Sequence, residues 1–243
     1  MTKPITAVAA MMLYEEGHFH LNTPIAEFIP AFADTPVFAG TGSEGGIFLD
    51  DRDRDITFRH LFTHTAGLSY GNNKNDPVDK IYQEMRKKME EEGTELTTGE
   101  FGNALAQAPL AFQPGTQWRY SFSIDVLGSL IEIISGISFA QFLQERIFDP
   151  LGMVDTAFWI PADKQERLAI VYEYSDAGLQ ALREITPPLE MPTFTSGGGG
   201  LFSTALDYVR FAQMLVNKGE FEGHRLLSPS TVELFSINQC PVE

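Results

Sequence analysis

The chain has 243 residues, of which 43% are hydrophobic and 12% aromatic, enough apolar material for a packed core and inconsistent with a disordered chain. Its 33 acidic residues against 17 Lys and Arg give a formal net charge of −16, which repels phosphate backbones and anionic lipid surfaces. Nucleic-acid and membrane partners are therefore not expected, no apolar run reaches transmembrane length, and Cys240, the only cysteine, cannot form an intrachain disulfide.

Helical patterns dominate the predicted elements. In chain order we predict helices over residues 4–16, from Asn22-Thr23-Pro24, from Thr57 to about 63, over 77–92, from the Thr97/Glu100 capping box to about 106, over 123–135, from a Ser138/Gln141 box to about 148, from Thr204 to near 219, and from Ser228-Pro229 onward. Residues 33–55 are predicted as loop, and residues 169–174 and 179–182 as a hairpin around Asp176-Ala-Gly178. The pattern predicts an α-rich α+β fold in a single partial domain over residues 1–243.

Lys3 stands at the start of the first predicted helix. A lysine three positions after a serine on a helix reaches the serine hydroxyl and can take its proton, provided that its surroundings depress its pKa. Position 0 is not part of this chain, so no serine precedes Lys3 at that spacing. Taken alone, a lysine near a helix start is most often a solvated surface charge.

Tyr120 precedes the apolar helix 123–135 and follows the turn Phe112-Gln-Pro-Gly-Thr, which fixes the direction of its side chain. Such a tyrosine is most often an anchored aromatic. Beside a lysine ammonium, however, its hydroxyl could pass a proton to a leaving group.

Six blocks, in order along the chain, resemble the motifs of the serine β-lactamase-related family, which includes class C β-lactamases, penicillin-binding proteins and family VIII carboxylesterases. They are Met1-Thr2-Lys3-Pro4 with Glu15-Glu16-Gly17, Leu61-Phe-Thr-His-Thr-Ala-Gly-Leu68, Phe112 through Ser123, Asp149-Pro-Leu-Gly-Met153 with Asp155-Thr156, Ser196-Gly-Gly-Gly-Gly-Leu201 with Ser203-Thr204 and Asp207, and Leu226-Leu-Ser-Pro229. The resemblance implies acyl transfer through a serine ester, with Lys3 and Tyr120 as catalytic residues and no cofactor or metal.

The resemblance also implies a nucleophile immediately before Met1 and a third motif that has no match before Glu243. We therefore expect a chain truncated at both ends, mainly the helical lobe of a β-lactamase/transpeptidase-like fold, with most of the antiparallel sheet missing. Such a chain is expected to be inactive and to self-associate through exposed apolar faces.

Phe122 occupies the position where penicillin-recognising members usually carry Asn. A phenyl ring cannot pair with a lactam amide, so Phe122 is predicted to contact substrate and to favour a small ester over an amide. A β-lactamase or D-amino-acid peptidase and a non-catalytic peptide-binding or assembly protein remain as alternatives.

Three other patterns suggest sites but favour structural roles. His60 and His64 have the spacing of metal ligands on a helix, yet no third ligand is placed. The acidic run 50–55 lacks the central glycine and terminal glutamate of a calcium loop. Residues 197–200 lack the G-K-[ST] of a phosphate loop and are predicted as a tight strand-to-helix turn with close backbone packing.

Overall fold

A computed structural model of the chain describes residues 1–42, 46–176, 178–182 and 187–239. Its helices are α1 Thr2–Glu15, α2 Phe58–Phe62, α3 Pro77–Glu91, α4 Thr98–Leu105, α5 Ser123–Ser135, α6 Phe139–Leu143, α7 Asp149–Leu151, α8 Ala205–Val216 and α9 Pro229–Leu234. Short 3₁₀ turns occupy Ile25–Glu27, Pro30–Asp34 and Ala162–Arg167, and a π-helical turn, Gln144–Phe148, joins α6 to α7.

The strands in the described residues form three separate antiparallel hairpins. These are β1 Val37–Thr41 with β2 Ile47–Asp50, β3 Val171–Ser175 with β4 Gly178–Leu182, and β5 Glu220–Phe221 with β6 His224–Arg225. The β3–β4 prediction is confirmed, although Ala177 of its turn lies outside the described residues, as does Cys240.

The prediction of loop over residues 33–55 is wrong for β1 and β2. The backbone N–H of Phe38 donates to the Leu110 carbonyl at 2.8 Å, so β1 is anchored by a distant segment that local sequence does not reveal. Among the described residues, the acidic run 50–55 contributes to no group of three or more metal-binding side chains, and within it Arg52 pairs with Asp55.

Helix boundaries follow the predicted caps closely. The Thr97/Glu100 capping box is formed at α4, and α5 covers the predicted residues and ends at Gly136, whose φ of 73° suits glycine. The box predicted at α6 is only half formed. Ser138 accepts from the Gln141 backbone, but the Gln141 side chain donates to Glu145.

Helix α5 is the centre of the core because it packs against α1, α2, α4 and α6. Its apolar residues through Ile131 are buried, as predicted from the apolar groups around much of its circumference, whereas Ile133 near its C-terminal end is exposed. Beneath α2 the rings of Phe19 and Phe58 stack at 3.7 Å. Helix α5 thereby places its first turn, directly after Tyr120 and Phe122, against the start of α1.

Helix α8 presents an apolar outer face to solvent, consisting of Leu206, Val209 and Val216. Across the described residues no single helix combines the length and apolar composition needed to cross a membrane. The helical stretches 123–135 and 139–151 meet that test only as a pair, and they are bent by 85° relative to each other.

Candidate active site

Lys3 lies near the start of α1. Its partly buried ammonium group lies between the Gly198 carbonyl and the rings of Tyr70 and Tyr120, and these groups form the candidate pocket. Its Nζ donates to the Gly198 carbonyl at 2.6 Å and lies 4.6 Å from the centre of the Tyr120 ring. The centre of the Tyr70 ring lies 5.5 Å from the same Nζ atom. The structure thus brings Lys3 and Tyr120 together, and it adds Tyr70, which the sequence reasoning did not select.

Contacts with the glycine run 197–200 and its surroundings hold the start of α1. The Thr6 hydroxyl donates to the Gly197 carbonyl at 2.8 Å, and the Thr2 hydroxyl accepts from the Leu201 backbone at 3.3 Å. On α8, Tyr208 donates to the Met1 carbonyl at 3.2 Å. These long-range contacts fix the direction in which the first residues of α1 run.

The glycine run in turn lies directly on α5. A methyl group on Gly197 would sit 2.3 Å from the Ile124 carbonyl oxygen, and Gly128 of α5 faces the same glycine. The predicted close backbone packing is confirmed, but residues 197–200 form bends rather than a strand end, and the nearest strand-like pairing joins Phe202 to Ala157. Only glycine permits this approach of two backbones.

The segment before Tyr120 is attached to the loop that follows α2. The backbone N–H of Arg119 donates to the His64 carbonyl at 2.9 Å. The Arg119 guanidinium binds Asp76 at 2.9 Å and the buried Asp79 at 2.7 Å. Arg119 therefore fixes the backbone next to Tyr120, while about half of Tyr120 itself remains exposed.

Phe122 lies between two aromatic side chains at the edge of the pocket. Its ring meets Tyr70 edge-on at 4.5 Å and Phe101 at 5.4 Å. Phe122 thus forms part of an apolar wall, and its contact with substrate remains a prediction.

The charge state of Lys3 differs from that expected of a lysine base. Burial alone would lower the pKa of Lys3, but the hydroxyls of Tyr120 and Tyr70 beside the ammonium outweigh it and raise that pKa. Lys3 is therefore an ammonium group here, opposite to the depressed pKa that the sequence reasoning required.

His64 lies beside the pocket, although its sequence block suggested only a structural role. Its ring is 4.8 Å from that of Tyr120, and Nδ1 is 3.3 Å from the Ser121 hydroxyl. Burial and, secondarily, the positive charge of Lys3 lower the pKa of His64 to about 4, so the ring is neutral near pH 7.

His60 has a different task. Its Nδ1 accepts from the Thr57 backbone at 3.1 Å and completes the cap of α2. The ring nitrogens of His60 and His64 thus contact different partners. The described residues contain no group of three or more His, Cys, Asp or Glu that could hold a metal ion.

Comparisons with known proteins identify the family of this arrangement. The model of the Beta-lactamase family matches residues 1–237, and the chain belongs to that family. Protein Rv1367c of Mycobacterium tuberculosis is 37% identical over 244 residues, covering 100% of this chain and 59% of that protein. Lovastatin esterase of Penicillium rubens is 32% identical, covering 96% of this chain and 56% of that protein.

Among solved structures, simvastatin synthase (LovD) from Aspergillus terreus superposes with a TM-score of 0.79 at 28% identity, covering 96% of this chain and 55% of that one. The β-lactamase/transpeptidase-like fold predicted from the motifs is confirmed. The chain spans a little more than half the length of the curated relatives it matches.

Proposed function

We propose that these residues form the proton-transfer side of a serine ester hydrolase or acyltransferase site. The observation that carries the proposal is the approach of the Lys3 ammonium to within 4.6 Å of the Tyr120 ring, in a pocket walled by Phe122 and Tyr70. These groups come from distant parts of the sequence, and a surface lysine would have no reason to be held against two tyrosines.

The proposed chemistry proceeds through an acyl-enzyme. A serine hydroxyl three residues before Lys3, immediately before Met1, attacks the ester carbonyl carbon. The Tyr120 hydroxyl takes up the serine proton and gives its own proton to the departing alkoxide, so that serine ester, alcohol and phenol are the products of this step. Water then releases the acid, or an alcohol accepts the acyl group. The ammonium of Lys3 stabilises the negative charge that develops on the Tyr120 oxygen during this proton transfer.

The names of the relatives support an ester as the substrate class. One is a lovastatin esterase, and the structural neighbour is a simvastatin synthase. Phe122 supports the same choice, because a buried lactam amide facing a phenyl ring would stay unpaired, at a cost of about 1–3 kcal/mol. A lactam or peptide substrate is therefore the less favoured alternative.

The first experiment tests the nucleophile. We propose that a polypeptide of these 243 residues is inactive toward p-nitrophenyl butyrate, since loss of the nucleophile in comparable catalytic units lowers the rate by about 10⁶. Two matched polypeptides carry Ser or Ala immediately before Met1 and are treated with a fluorophosphonate probe. We expect labelling of the Ser form that Lys3→Ala and Tyr120→Phe abolish.

Equal labelling of the Ser and Ala forms, or labelling of the Ser form that is indifferent to both substitutions, contradicts the proposal. So does steady turnover by the 243-residue polypeptide that scales with its concentration. The residue encoded before Met1 provides a separate check, because any residue other than serine there favours a non-catalytic binding or assembly role.

The second experiment tests the ester preference. On the Ser form, kcat/KM or the acylation rate is compared for p-nitrophenyl butyrate and nitrocefin, with and without Phe122→Asn. We expect the ester to be preferred and the substitution to shift the ratio toward nitrocefin by roughly ten- to a hundred-fold. An unchanged ratio contradicts the role assigned to Phe122.

A further inference from the structure

Asp125 is a carboxylate buried in the first turn of α5, and nothing in the proposed reaction has yet used it. It is only 2% exposed. Its Oδ1 accepts from the Gly198 backbone at 2.9 Å and from the Ser196 hydroxyl, whereas its Oδ2 has no hydrogen-bond partner. An unpaired oxygen of a buried carboxylate is costly and calls for a reason.

Gly198 links this carboxylate to Lys3. Its backbone N–H donates to Asp125 Oδ1, and its carbonyl accepts from Lys3 Nζ at 2.6 Å. The position of the ammonium therefore depends on a backbone segment that Asp125 fixes.

The free oxygen of Asp125 points toward Tyr70. A methyl group on Gly198 would lie 2.3 Å from Asp125 Oδ2 and 2.9 Å from the Tyr70 hydroxyl, so both oxygens border the same small space. Glycine at position 198 leaves that space open, and a carboxylate beside a phenol disfavours the phenolate.

The charged and titratable groups around Tyr70 come from three directions. Lys3 approaches Tyr70 from α1, and Asp125 approaches it from α5. Tyr120 approaches from the segment before α5, and the centres of the Tyr70 and Tyr120 rings are 5.3 Å apart. Burial raises the pKa of Tyr70, Lys3 opposes that effect, and the charge of Asp125 adds to it, so that the net shift is upward. Burial likewise raises the pKa of Asp125, against its hydrogen bonds from Ser196 and Gly198.

We propose that Asp125 is a positioning residue that fixes Lys3 through the Gly198 backbone and keeps Tyr70 a protonated phenol, so that Tyr120 is the tyrosine that exchanges a proton with substrate. This division of roles rests on the proposed function. Tyr70 supplies a hydroxyl beside Lys3, and Tyr120, half of which is exposed, is the more accessible of the two tyrosines.

The test follows the ionisation of Tyr70 in the 243-residue chain by NMR of ¹³C-labelled tyrosine, with Tyr70→Phe and Tyr120→Phe to assign the two resonances. In Asp125→Asn, an isosteric change that removes the charge and replaces one carboxylate oxygen with an NH2 group, we expect the Tyr70 midpoint to fall by about one pH unit or more. Ser196→Ala is the matched control, because it removes a hydrogen bond to Asp125 and leaves the charge, and there the midpoint should stay near the parent value.

A second measurement needs no variant at position 125. In the parent chain the ¹³C shift of the Asp125 carboxylate should show an additional inflection at the Tyr70 midpoint, which Tyr70→Phe removes. An unchanged Tyr70 midpoint in folded Asp125→Asn, or a carboxylate signal without that inflection, overturns the proposal. Both readings are made without substrate, so they remain distinct from any failure of the proposed ester chemistry.

Discussion

Gly197→Ala adds a single methyl group, and we expect it to disrupt the packing of the glycine run against α5. The added methyl group would lie 2.3 Å from the Ile124 carbonyl oxygen and 3.2 Å from its carbon, whereas ordinary contacts begin near 3.4 Å. The glycine run and α5 must therefore separate by about 1 Å. Overpacking of this kind costs about 1–3 kcal/mol.

The same displacement strains the buried hydrogen bond from Thr6 to the Gly197 carbonyl, which contributes a further 0.5–1.5 kcal/mol or so. Together these two effects lower the free energy of unfolding by about 1.5–4.5 kcal/mol, and the melting temperature by about 3–18 °C for a chain of this size. Replacing glycine also restricts the unfolded chain, which offsets about 0.4–1 kcal/mol.

Gly199→Ala is the matched control for that offset. Its added methyl group would meet nothing closer than the Ser196 hydroxyl at 3.9 Å, so it shares the unfolded-state effect without the clash. The two variants are compared by urea unfolding followed by circular dichroism. If Gly197→Ala is as stable as Gly199→Ala, α5 and the glycine run do not pack as described, and the anchoring of Lys3 by this run is refuted.

Three further outcomes are expected. Arg119→Leu should lower the free energy of unfolding by about 2–3 kcal/mol in urea titrations, because it leaves the buried Asp79 carboxylate without its cation. The control Lys87→Leu removes one partner of an exposed ion pair and should change that free energy by less than about 1 kcal/mol. Equal effects of the two substitutions would contradict this reasoning. Because the pKa of folded His64 is about 4 and the unfolded value is 6.5, the unfolded state binds more protons between them, so stability is lost as pH falls from 6.5 through 4. His64→Asn, which tolerates the local φ of 55°, should flatten that dependence in urea titrations at several pH values, and an unchanged slope would disprove it. The apolar outer face of α8 should promote self-association, and light scattering that shows a monodisperse monomer at high concentration would count against it.

Local sequence predicts the helices well, because their caps and apolar faces act within a few residues. The Thr97/Glu100 box and the stop at Gly136 are examples. Strand β1 escapes such reasoning, since its anchor at Leu110 lies far along the chain. Its strand partner β2 is close in sequence, but all four residues of β2 are exposed, so the pair lacks the alternation of apolar and polar residues that identifies a strand.

The site shows the same division. Motif resemblance selects Lys3 and Tyr120, and the structure places them together. Tyr70 and Asp125 were missed because their meeting depends on how the glycine run crosses α5. One signal was available: Asp125 is the one charged residue in the buried stretch 123–131 of α5, where a carboxylate without a partner is costly.

The pocket and the stability of α1 are coupled through the same contacts. Lys3, Thr2 and Thr6 on α1 all form hydrogen bonds with residues 197–201. The position of Lys3 therefore depends on this segment as well as on its own helix. Since that segment is itself held by Asp125, a change at α5 that touches neither Lys3 nor Tyr120 can still move the ammonium away from the phenol. A substitution that weakens the pocket through this route should also speed hydrogen exchange in the first turns of α1, whereas one that acts on Tyr120 alone should leave that exchange unchanged.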